Sequence, residues 1–86
     1  MKIARTDRFK KAWSLLAERD KKSARKAIEN LVANVKYPSL RVKKMKGTDK
    51  IWEARASHSL RITFDIDTNT IVLRNIGHHD QTLKQP

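Results

Sequence analysis

The chain has 86 residues, no cysteine, and 20 lysines and arginines against 9 aspartates and glutamates, a formal charge of +11. A chain this short forms one domain with a modest core, and without cysteine it has neither a disulfide framework nor thiolate zinc sites. No apolar run is long enough to span a membrane, and Met1-Lys2-Ile3-Ala4-Arg5-Thr6-Asp7 lacks the apolar stretch of a signal peptide, so a cytoplasmic location is expected.

Residues 2–5 read as a short edge strand. Thr6 or Asp7 then caps a helix in which Phe9, Trp13 and Leu16 recur at i, i+4 and i+7, with Ala12 beside them. Arg19-Asp20 interrupts that pattern, and Asp20 is placed to cap a second helix with an apolar stripe of Ala24, Ile28, Leu31, Val32 and Val35. Lys21, Lys22, Arg25, Lys26 and Lys36 fall largely on the opposite side, a solvated face. Tyr37-Pro38 ends this helix, because proline disfavours helical backbone in the residue before it. The short link between the helices makes an antiparallel hairpin. After Pro38 the period becomes two: Leu40, Val42 and then Met45 alternate with Arg41, Lys43 and Lys44. Lys46-Gly47-Thr48-Asp49-Lys50 is a turn, and strands follow at 51–57, 60–67 and 71–76.

The strand registers follow from burial. With Ser57-His58-Ser59 as the hairpin loop, Trp52 faces Phe64, Ala54 faces Ile62 and Ala56 faces Leu60 on one apolar face. On the other face Arg55 meets Arg61, Glu53 meets Thr63, and Ile51 lies opposite Asp65. A turn at Thr68-Asn69, where asparagine tolerates positive φ, pairs Ile66 with Ile71, Phe64 with Leu73 and Thr63 with Arg74. A slip of one residue would bury the arginines. The fold class is therefore α+β: an N-terminal strand and helical hairpin packed on a twisted antiparallel sheet of about four strands. Arg55 opposite Arg61 costs roughly 0.2–1 kcal/mol, partly offset by Glu53 and Asp65. Stability alone does not call for Arg55, Arg61 and Arg74 on one face. Self-repulsion of the net charge points to a polyanionic partner: nucleic acid first, an acidic protein second, an anionic membrane surface third. The few aromatics fall mostly at core positions, which argues against a base-stacking platform.

In order and spacing these segments resemble the RelE/ParE toxin superfamily of bacterial type II toxin–antitoxin systems. The resemblance runs through the helical hairpin, Leu40-Arg41-Val42-Lys43-Lys44-Met45-Lys46-Gly47, Ile51-Trp52-Glu53-Ala54-Arg55, Leu60-Arg61-Ile62-Thr63-Phe64 and Leu73-Arg74-Asn75-Ile76-Gly77-His78-His79-Asp80. It implies a single RelE-like domain over residues 1–86. It also implies a toxin that is a metal-independent endoribonuclease, an mRNA interferase that cuts mRNA on the ribosome and inhibits translation. The alternatives on the same fold are a ParE-like DNA gyrase inhibitor without catalysis, and a non-toxic relative that only binds its partner or DNA. The implied partners are a cognate acidic, partly disordered antitoxin with mRNA and ribosomal RNA, or else gyrase. No membrane partner and no cofactor are implied.

By position, Arg61 matches the arginine that follows the strand turn in ribonuclease members. His79 matches their basic or imidazole position two residues after the last strand's glycine, and Arg55 stands where one branch carries a catalytic histidine. Many ribonuclease members have Tyr or Phe near the C-terminus to stack a substrate base. This chain has Leu83 there and no aromatic after Phe64. That absence favours the gyrase alternative, and the Gly77-His78-His79 ending favours the ribonuclease.

Metal-free RNA cleavage uses the 2′-OH as nucleophile. It needs a base, fixed cations for the charged phosphorane, and an acid for the leaving 5′ oxygen. Histidine titrates near neutrality, and arginine makes planar contacts to phosphate. On the resemblance, Arg61 stabilises the transition state, His79 is the general acid or base, and Arg55 and Arg74 position the phosphate. His78 shares the imidazole role, although adjacent side chains point apart. From the residues alone, Arg61 also reads as a strand arginine paired with Asp65 or Glu53. His79 likewise reads as a surface histidine in a C-terminal loop, and Arg55 and Arg74 as generic basic surface. Lys43, Lys44 and Lys46 read as RNA-backbone contacts that give affinity without sequence choice, or as antitoxin-pairing charge. His78-His79-Asp80 has no further ligand at metal spacing, so no metal is assigned. His58, between two serines, reads as turn chemistry. Trp13 and Trp52 read as core, with an edge of Trp52 at the antitoxin groove. The nuclease reading requires the three guanidiniums and the terminal imidazole to converge on one cavity sized for a ribose-phosphate.

Overall fold

The computed structural model describes residues 1–86, except for the side chains of residues 80 and 81. The order is β1 (Lys2–Arg5), α1 (Asp7–Ser14), α2 (Glu18–Ala33), a 3-10 turn (Pro38–Leu40), β2 (Lys43–Lys44), β3 (Trp52–Arg55), β4 (Leu60–Asp67), β5 (Thr70–His78) and α3 (His79–Lys84). No helix among the described residues is long and apolar enough to cross a membrane. The fold is α+β as expected, but its sheet has five strands, ordered β1-β5-β4-β3-β2. It is also mixed rather than antiparallel, because β1 runs parallel to β5. The helices separate β1 from the β2–β5 meander in sequence, so β1 is free to join the last strand in parallel.

Thr6, not Asp7, caps α1. Its hydroxyl accepts from the Phe9 N–H at 3.0 Å and donates to the Arg74 carbonyl at 3.1 Å. Asp20 does not cap α2. Ala17 holds that position without a side-chain bond, and Asp20 sits in the first turn, where a carboxylate complements the helix dipole. The helix also ends before Tyr37-Pro38. Asn34 leaves the helical backbone, and its side chain accepts from the Lys36 N–H at 3.0 Å, a local alternative to another helical turn. The stretch from Leu40 to Met45 is a strand only at Lys43–Lys44, because Leu40 closes the 3-10 turn and Arg41 takes a left-handed φ of 46°.

Phe9, Ala24, Ala27 and Leu31 pack from the helices onto Ala54, Leu60, Ile62, Phe64, Ile71, Leu73 and Ile76 of the sheet, with Leu40 closing one side. The β3–β4 register is the expected one, with Trp52 on Phe64, Ala54 on Ile62, Glu53 on Thr63 and Arg55 on Arg61. Ile51 lies outside that ladder. In β4–β5, Ile66 pairs with Ile71 and Phe64 with Leu73, but Thr63 pairs with Asn75 rather than Arg74. A β-bulge accounts for the difference. Leu73 and Ile76 are both buried yet three residues apart, so strict alternation would bury Asn75 and expose Ile76. One extra residue, Arg74, restores the apolar face. Strand β5 also runs on through Gly77 and His78, so His79 opens a helix rather than lying in a loop. At the β4–β5 turn the positive φ of 56° falls on Thr68, not Asn69.

The chain end crosses the sheet face that bears Thr63. The Pro86 carbonyl accepts from Thr63 Oγ1 at 2.9 Å and from Arg74 Nε at 3.3 Å. The Gln85 carbonyl accepts from Asn75 Nδ2 at 2.8 Å. Buried Thr82 lies against Gly77, where a Cβ would stand 2.6 Å from its Oγ1, so glycine is required for this close approach.

Candidate active site

Residues 55 and 61 are the last β3–β4 pair before the loop at 57–59, so their side chains leave the sheet beside that loop. Arg61 folds over it. Its Nη1 donates to the carbonyls of Ser57 at 3.0 Å and of His58 and Leu60 at 3.2 Å. Among the described residues Nε and Nη2 have no hydrogen-bond acceptor and can donate to a ligand. Arg55 Nη2 lies 3.4 Å from His58 Nδ1. A guanidinium only donates, so Nδ1 accepts and the ring presents Nε2–H outward. On the other side of the loop, Ser59 Oγ lies 3.1 Å from His78 Nδ1, and the Ser59 carbonyl accepts the His79 backbone N–H at 2.6 Å. One short loop therefore contacts two guanidiniums and the His78 ring, carries His58, and holds His79 through its backbone.

Arg41, Lys43, Glu53, Arg55 and Arg61 line a cavity of about 220 Å³ beside this loop. Its size is below that of sites for drug-sized molecules and suits a phosphodiester. Glu53 is only 7% exposed and pairs with Lys43 at 3.7 Å. Partial burial and then the charge of Arg55 push the Arg61 pKa down; Glu53 opposes this, and Arg41 adds to it. A guanidinium stays charged regardless, so the shift reflects first the lost solvation of Arg61 and then repulsion from Arg55, and an entering anion would offset both.

The expected convergence is partial. Arg55 and Arg61 meet, but Arg74 is turned away by the bulge, pairing with Asp65 at 3.2 Å and with the Pro86 carbonyl. His79 is exposed at the start of α3 and does not line this cavity. His78 Nε2 lies 3.4 Å from Asp20 Oδ2, which ties the end of β5 to α2. Lys43 reaches the cavity. Lys44, the next residue on the strand, points the other way, its Nζ 5.3 Å from the Trp52 ring centre. Lys46 is exposed in the turn before Gly47. The side chain of Asp80 lies outside the described residues, and among those described no group of three or more His, Asp or Glu could hold a metal. A larger cavity, about 690 Å³, lies where α1, α2, β5 and α3 meet; it has Leu15, Leu16, Asp20 and His78 in its wall and no guanidinium.

Sequence reasoning passed over Arg41, Glu53 and His58. Arg41 stands two residues before Lys43, a spacing that hints at a shared side, but its left-handed backbone has no sequence signal. Glu53 was legible as the acid two residues before Arg55 on the same face. His58 had a signal in its spacing, three residues after Arg55 and three before Arg61 in the same hairpin.

No protein-family profile and no curated protein matches the chain. Solved structures do. A chain of the RelB-RelE antitoxin-toxin complex from Methanococcus jannaschii is 21% identical with a TM-score of 0.77, over 96% of this chain and 99% of that one. A metal-bound toxin from Helicobacter pylori is 24% identical with a TM-score of 0.77, over 94% and 97%. A YoeB/ParE toxin from Agrobacterium tumefaciens is 14% identical with a TM-score of 0.79, over 92% and 99%. At these identities the likeness is one of fold: the chain has the fold of the RelE/ParE toxins.

Proposed function

We propose that this chain is the toxin of a type II toxin–antitoxin pair and acts as a metal-independent endoribonuclease that cuts mRNA on the ribosome. The observation that carries this reading is the hairpin loop where Arg55 and Arg61 meet at His58, next to a cationic cavity of phosphodiester size, with His78 and the His79 backbone bonded to Ser59 of the same loop. The fold likeness to toxins supports the class. Arg61 donates from Nε and Nη2 to the phosphate oxygens as charge builds on them. Arg41 and Lys43 add fixed positive charge. We assign the proton of the 2′-OH to His79, whose ring must reach in from the far side of the loop, and the oxygen then attacks the adjacent phosphorus. His58, held by Arg55, donates from Nε2 toward the leaving 5′ oxygen. The products are a 2′,3′-cyclic phosphate and a 5′-hydroxyl, and no metal is needed. An acidic antitoxin fits the +11 charge, and it would silence the toxin by covering this cavity.

The gyrase-inhibitor reading has one observation in its favour. Leu15, 79% exposed at the end of α1, offers an apolar contact. A single comparison separates the two. Purified protein is added to programmed ribosomes in magnesium buffer and, separately, to a gyrase supercoiling reaction. The ribonuclease reading expects cyclic-phosphate ends on the mRNA and undisturbed supercoiling. Intact mRNA with blocked supercoiling would replace it with the inhibitor reading.

A further inference from the structure

Arg55 borders two cavities. One is the cationic cavity it shares with Arg61. The other, about 380 Å³, lies on the α2 side of the hairpin. Lys26, Asn30, His58 and Arg55 stand in its wall, over buried Ala27 and Leu40. Among the described residues no aspartate or glutamate lines it. Serine hydroxyls and an amide supply hydrogen-bonding groups, the cations supply charge, and the apolar floor offers a dry contact. A groove with those three properties matches a nucleotide, with its phosphate, its hydroxylated sugar and the flat face of its base. Lys26 reads from sequence as one of several solvated helix lysines. The fold sets it apart, because of the α2 lysines only Lys26 borders a cavity shared with Arg55.

We propose that this groove is a second nucleotide subsite. It holds the nucleotide one step beyond the two that flank the scissile phosphate, so that the RNA strand crosses the hairpin with Arg55 between successive phosphates. The inference rests on the ribonuclease reading and extends it. Lys26 contacts one phosphate and Asn30 one sugar or base edge, and neither takes part in the chemistry.

The test uses the full chain and non-cleavable 2′-O-methyl RNA: a dinucleotide, and the same dinucleotide extended by one residue at either end. Affinity is followed by fluorescence anisotropy across a salt series. Lys26→Ala is expected to weaken the longer RNA several-fold and to leave the dinucleotide unchanged. It should also flatten the slope of log affinity against log salt by about 0.7, the value for one phosphate contact on a single strand. Asn30→Ala is expected to weaken the longer RNA without changing the slope. Lys10→Ala, at an exposed α1 position away from both cavities, removes the same charge and is expected to change neither quantity. Lys26 is exposed, so its loss does not threaten folding. If both RNAs bind and Lys26→Ala behaves like Lys10→Ala, the subsite is refuted and the nuclease reading survives. If the wild type binds neither RNA, both fall together.

Discussion

Truncating Arg61 to alanine removes two things of different size. The structural part is three hydrogen bonds from Nη1 to loop carbonyls at 3.0–3.2 Å. Bonds to a charged donor contribute about 1.5–3 kcal/mol when buried, but these carbonyls lie at a partly exposed loop and regain water. The repulsion between Arg61 and Arg55, roughly 0.2–1 kcal/mol for facing strand residues, is relieved at the same time. The net destabilisation is therefore about 1 kcal/mol, or a fall in Tm of about 4–8 °C for a domain of this size. A protein stable by about 5 kcal/mol or more stays almost wholly folded after such a loss. The chemical part is larger, because losing one preorganised donor to a developing phosphate charge costs about a hundred- to a thousandfold in rate. Single-turnover cleavage and urea unfolding, measured at one temperature, separate the two. Arg61→Lys should fall between wild type and alanine in rate, since it keeps the charge and loses the planar fork. The reasoning fails if Arg61→Ala cleaves within about threefold of wild type, or if its rate loss merely tracks the fraction unfolded.

Three further outcomes bear on the scaffold. Gly77→Ala places a Cβ 2.6 Å from Thr82 Oγ1 and should destabilise by about 1–3 kcal/mol; a second change, Thr82→Ala, should recover part of that, and a neutral Gly77→Ala in urea melts would show that α3 does not sit where described. Thr6→Ala removes both the helix cap and the bond to the Arg74 carbonyl, so a loss of about 1–2 kcal/mol is expected, and a melting curve matching wild type would reject the cap. Thr68→Asn should raise stability by roughly 0.5–1 kcal/mol, because a β-branched residue at φ 56° is strained where asparagine is tolerated; an unchanged or lower Tm would contradict that backbone assignment.

Period-two alternation was enough to set the β3–β4 register to the residue, since a slip there would have exchanged Trp52, Ala54, Ile62 and Phe64 for charged or polar neighbours. The helical stripes, and a cap at Thr6 or Asp7, were legible for the same reason: each is local and leaves its mark within a few positions. The β4–β5 bulge was half legible. The spacing of Leu73 and Ile76 breaks alternation, yet it names the extra residue only once both are known to be buried. What the linear chain determined is therefore the pattern of dry and wet faces and the pairing of Arg55 with Arg61. Only the tertiary structure decided that Arg74 turns to Asp65, that Arg41 joins the cationic cavity, and that His58 meets Arg55 while His78 and the His79 backbone bond to Ser59. Those outcomes depend on contacts between distant segments and on one left-handed residue, and neither leaves a periodic trace in the order of amino acids.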